Sequence, residues 1–115
     1  MLTEPSVGGK PSVSLDDDGY YWFLHPLFEE LAAATGQYID LYGYAAFAGP
    51  NLDALEGMLS SARRLVEAQP ESWTVDTGTQ LPPVHRADFL RLLGIWDEAL
   101  ARARQTGRPI VCFGD

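Results

Sequence analysis

Apolar residues recur at spacings of three and four near the end of the chain, where Phe89, Leu92, Leu93, Trp96, Leu100 and Ala103 share one stripe. Arg91, Glu98, Arg102 and Gln105 fall on the opposite side. The spacing predicts a one-sided helix from about Arg86 to Thr106, ended by Gly107 in the left-handed position and by Pro109 beyond it. A second stripe, Leu52, Leu55, Leu59, Ala62 and Val66, predicts a helix that Pro50 opens and that runs to about Gln69, with Pro70 ending it. A third helix is expected over roughly His25 to Thr35, anchored by Leu27, Phe28 and Leu31. There Pro26 falls in the first turn, the aromatic run Tyr20 to Phe23 leads in, and Gly36 ends the helix.

Period-two alternation marks three strands: Ser12 to Leu15, Tyr38 to Tyr44 and Ser72 to Thr77. In the second, Ile39 and Leu41 point one way, and Tyr38, Asp40, Tyr42 and Tyr44 point the other. Ile110 to Phe113 has no polar alternation, so both its faces should be covered and it belongs near the middle of the sheet.

The expected order is β-α-β-α-β-α-β. Helices with one apolar face and strands that alternate argue for an α/β (α+β) two-layer sandwich. It would be a mixed sheet of about four strands with three helices mainly on one face. The uncovered face would then display Tyr38, Asp40, Tyr42, Tyr44, Thr74 and Asp76. Residues 1–10 are expected to be a flexible lead-in and residues 11–115 a single domain.

Charge changes this picture, because it is unevenly spread. The formal net charge is −8. Up to residue 62 nine acids face Lys10 alone, and the remainder carries seven of each sign. An acidic chain without a basic stripe is not expected to bind nucleic acid, and it favours a basic partner. The opening MLTEPSVGGKPS has no apolar run of a secretion signal, and no stretch approaches a membrane span. A cytoplasmic chain without membrane contact is expected. Cys112, the sole cysteine, lies in the apolar strand and reads as a small buried hydrophobe.

Candidate chemistry is sparse. Asp16, Asp18 and Gly19 match part of a calcium loop, but the frame places His25 where a bidentate glutamate belongs. His25 and Glu29, four apart on a helix, could share a metal only as two ligands of an incomplete set. His85, beside Arg86 and Asp88, fits a helix start better than an acid/base pair. Gly8-Gly9-Lys10 lacks the spacing of a phosphate loop. Asp40 and Asp76 form the one carboxylate pair on the expected open face, but their hydroxyl-rich, solvated setting argues against general-acid work. No catalytic role, metal or cofactor is therefore expected.

Acids and aromatics overlap. Nine of the thirteen aromatic residues lie between Tyr20 and Phe47, within the acidic half. Aromatic residues anchor interfaces and surrounding acids steer a basic partner, so the overlap points to protein binding. With these residues and the ending IVCFGD, the chain resembles in general character the small immunity proteins that bacteria make against polymorphic toxins. The resemblance implies a non-catalytic inhibitor covering a basic toxin or effector domain. Asp16, Asp17, Asp18, Tyr38, Asp40, Tyr42, Tyr44 and Asp76 are the expected partner-binding residues. The alternatives are a self-associating subunit, a homodimer through the tyrosine face or a sheet edge, and a small hydrolase using Asp40 and Asp76.

Overall fold

The computed structural model describes residues 2–4 and 15–113, and the side chains of 15–112. The elements run β1 (Leu2–Glu4), α1 (Gly19–Thr35), β2 (Tyr44–Phe47), α2 (Pro50–Glu67), β3 (Ser72–Trp73), β4 (Val84–His85), α3 (Arg86–Thr106) and β5 (Ile110–Phe113). The architecture is α+β, with three helices and two small antiparallel sheets among the described residues. One sheet has the order β1-β5-β2, and the other pairs β3 with β4.

A single mixed sheet of four strands is therefore not formed. All three pairings are antiparallel. In β2 and β5 the register sets Ala45 opposite Cys112 and Phe47 opposite Ile110, and these four side chains are buried. The other face carries Tyr44, exposed, and Ala46 and Val111, half-buried. β5 is the central strand, as its apolar composition predicts. β1 pairs with it inside the segment expected to be a loose lead-in. The expected strand at Ser12 to Leu15 lies outside the described residues except for Leu15, which is buried.

The helices follow their stripes. Helix α3 has the bounds that its periodicity and Gly107 predict, and it buries Phe89, Leu93, Trp96, Ala99, Leu100 and Ala103. Gly107 takes the left-handed conformation at φ 69° that ends it. Helix α2 buries its stripe together with Met58. It packs between α1 and α3, and α2 and α3 reach β2 and β5 from the core side.

Helix α1 departs most from expectation. It begins at Gly19, so the aromatic run Tyr20 to Phe23 forms its first turns and Pro26 stands in its interior. A proline there forfeits one helical hydrogen bond and costs about 3 kcal/mol. Two features offset this. The Asp18 carboxylate accepts a hydrogen bond from the Tyr20 amide at 3.0 Å and caps the N-terminus. Tyr21, Leu24, Phe28 and Leu31 supply a fully buried stripe.

Two expected strands are largely turns. The chain from Tyr38 to Gly43 joins no ladder, because Asp40 bids for the same backbone groups. Its Oδ1 accepts the Tyr42 amide at 3.1 Å and its carbonyl accepts the Gly43 amide at 3.4 Å. Ile39 and Leu41 are still buried, so the segment keeps the in-and-out order of a strand without its pairing. The expected strand from Ser72 to Thr77 ends at Trp73. Beyond it the Asp76 carboxylate accepts the Gly78 amide at 3.1 Å and closes a turn in which Gly78 has φ 80°.

Candidate functional site

The expected working surface, one sheet face holding Tyr38, Asp40, Tyr42, Tyr44, Thr74 and Asp76, is not formed. Tyr44 is the one member in a strand, and Thr74 and Asp76 follow the other sheet. The tyrosines nevertheless face solvent: Tyr42 is 72% exposed, Tyr44 69% and Tyr38 37%. Turn geometry turns the first outward and strand alternation the second.

What joins the acidic turn to the tyrosine segment is helix α1. The Trp22 indole N–H donates to Asp17 Oδ1 at 2.6 Å. The Trp22 and His25 rings lie 5.0 Å apart, and His25 Nε2 is 2.7 Å from the Tyr38 hydroxyl. Residues 17, 22, 25 and 38 thus form one line of contacts along the helix. The spacing of Trp22 and His25, three apart, puts both on the same side of α1. Tyr38 lies thirteen residues further on, and no sequence signal announces its contact.

His25 is the centre of this line. Its Nδ1 is 3.3 Å from Glu29 Oε1, the contact that the four-residue spacing allows. In the tautomer that carries its proton on Nδ1, toward this carboxylate, Nε2 accepts from the Tyr38 hydroxyl. His25 thus joins Glu29, on its own helix, to Tyr38, and its contact with the Tyr38 hydroxyl holds that residue to α1. Beneath it, the Tyr21 hydroxyl donates to the Ile39 carbonyl at 2.9 Å. Burial, followed by the neighbouring Tyr38 hydroxyl, pushes the Tyr21 phenol well above its ordinary range, so it stays a donor.

The acids have unequal roles. Asp18 is the helix cap, and burial holds its carboxyl above the usual carboxylate range despite the amides that it accepts. Asp17 holds Trp22, while Asp16 is exposed and offers its carbonyl to the Asp18 amide. The calcium-loop match at Asp16, Asp18 and Gly19 is thus a helix cap in structural terms. Asp40 and Asp76 each accept an amide in a separate turn, and among the described residues no hydrogen bond or ion pair links them. Among the same residues, no group of three or more His, Cys, Asp or Glu is placed to hold a metal ion.

Asp17 and Trp22 also form part of a cleft of about 270 Å³ whose other lining residues are Thr77, Thr79 and Leu81. The turn that carries Asp76 therefore borders the same side of α1 as the acidic turn. The sequence placed these two segments on different elements and gave no sign that they meet.

On the free side of β2, the Gln37 side-chain oxygen accepts the Ala46 amide at 2.9 Å. One of the edge donors that a second copy could pair with is thereby occupied. His85 occupies the N-cap position of α3 without a side-chain cap bond, and Asp88 pairs with Arg91. Compared with known proteins, the chain matches no family model, no curated protein and no solved structure at a significant level. No helix among the described residues is long and apolar enough to cross a membrane.

Proposed function

We propose that this chain is a non-catalytic binding protein that captures a basic protein domain, in the manner of an immunity protein or inhibitor that neutralises a toxin or effector. The observation that supports the reading best is the unbroken line Asp17, Trp22, His25 and Tyr38. It sets the acidic turn beside a tyrosine segment whose next members, Tyr42 and Tyr44, are the most exposed large aromatic side chains among the described residues. Charge on one flank brings a basic partner in, and stiff amphipathic rings on the other hold it. The compartment that fits is the cytoplasm, where a lone buried Cys112 stays a thiol.

The test begins with capture on the immobilised chain from the native lysate, identification of a basic protein, and measurement of its activity with and without the chain. Kinetics then locate the surface. Asp16→Lys should slow association and flatten its salt dependence, and Tyr42→Ala should speed dissociation. Asp18 is left intact, because reversing it would uncap α1. If both variants bind the captured protein as the native chain does, this surface is not the interface.

A further inference from the structure

The cleft beside Trp22 has a chemistry more specific than an acidic patch. One wall is the indole, held in place by its hydrogen bond to Asp17 Oδ1 at 2.6 Å. That bond uses one carboxylate oxygen and leaves Oδ2 without a protein partner among the described residues. Leu81, Thr77 and Thr79 complete its lining. The turn bearing the threonines is braced by Asp76, whose carboxylate accepts the Gly78 amide, and by the Thr77 hydroxyl, which donates to the Thr79 carbonyl at 3.4 Å. No basic residue lines the cleft, and the exposed carboxylates of Asp16 and Asp76 adjoin its lining residues in the chain.

We propose that this cleft is a receptor for an arginine side chain presented by a protein partner. A guanidinium is planar and weakly hydrated, so it can lie on an indole while its N–H groups reach a carboxylate oxygen and threonine oxygens. Its three-carbon stem supplies apolar surface for Leu81. A volume of about 270 Å³ accommodates one such side chain but not a folded element. Carboxylate, aromatic wall and hydroxyls together select a cation with an apolar stem over an anion or a neutral side chain. Lysine, a compact and strongly hydrated charge, gains less from the flat wall.

The inference rests on the basic-partner reading of the same surface, and its test needs no partner. In the full chain the three indole N–H resonances are followed during titration with Nα-acetyl-arginine methylamide. The Nε1 atoms of Trp73 and Trp96 are buried and have no hydrogen-bond partner among the described residues, which makes them internal references. The Trp22 resonance alone should move, saturably, and the affinity should fall at high salt. Asp17→Asn keeps an oxygen to accept the Trp22 indole N–H and removes the charge, so it should weaken binding roughly two- to fivefold.

The matching norleucine derivative and putrescine should bind more weakly than the arginine derivative. The proposal is overturned if Trp22 does not respond, if norleucine or putrescine matches arginine, or if Asp17→Asn binds unchanged. An arginine-binding cleft in a chain that captures no basic protein would remove the partner reading and keep the receptor. A captured basic partner that ignores Asp17→Asn would do the reverse.

Discussion

The imidazole of His25 and the phenol of Tyr38 meet at 2.7 Å, and this contact ties the loop before β2 to the middle of α1. It is the step by which a helix in the acidic half of the chain comes to carry a tyrosine segment on its flank. Tyr38→Phe keeps the ring and deletes the hydroxyl. The expected loss is about 0.5–1.5 kcal/mol in urea unfolding, with faster amide exchange at Tyr42 and Gly43. Unchanged exchange there would mean that Asp40 alone holds the turn.

Asp18 predicts a pH dependence. Burial raises its carboxyl above the ordinary value, so the folded chain holds that proton more tightly than the unfolded one. Between the ordinary value and the raised one the native state binds more protons. Its stability therefore declines as pH rises through that window, and the contribution is gone above it. Asp18→Asn retains a capping oxygen and loses this slope, so it should equal or exceed the native chain near neutral pH and fall behind towards pH ~3. Asp18→Ala, with no cap, should lose about 1 kcal/mol. A native chain that gains on Asp18→Asn as pH rises would show that attraction to the helix N-terminus outweighs burial.

Gly19 is required by close approach. A Cβ there would meet Val84 Cγ1 at 2.7 Å and Val75 Cγ2 at 3.4 Å. Valine is stiff about its first side-chain torsion, so α1 and β4 would have to separate. Gly19→Ala should cost about 1–3 kcal/mol. Gly57, inside α2, has nothing within 4 Å of the equivalent position. Gly57→Ala should stabilise by about 0.5–1 kcal/mol, and thermal unfolding of the two variants reads the contrast directly.

Cys112 lies 1% exposed in the central strand, and burial pushes its thiol up to about 12. Modification by a thiol reagent in native buffer should therefore follow opening of the fold. The rate should be low, should rise steeply with urea, and should saturate with reagent concentration when opening limits it. Stoichiometric labelling within seconds would place the residue at the surface.

Pro50, Gly36 and Gly107, with the stripes Leu52 to Val66 and Phe89 to Ala103, were enough to locate the helix ends and most of the core, and the run Ile110 to Phe113 marked the central strand. A helical hydrogen bond joins residues four apart, so its signal is written locally. The start of α1 is not legible locally: a proline such as Pro26 favours a first turn, whereas Asp18 and the buried stripe sustain the helix around it. Strand pairing is not local. Tyr38 to Tyr44 and Ser72 to Thr77 alternate as strands do, but Asp40 and Asp76 capture the amides of their own turns, and alternation alone cannot tell these outcomes apart. The two separate sheets, the clamp of His25 on Tyr38, and the meeting of Asp17 and Trp22 with Thr77 and Thr79 were decided by packing between segments far apart in the chain.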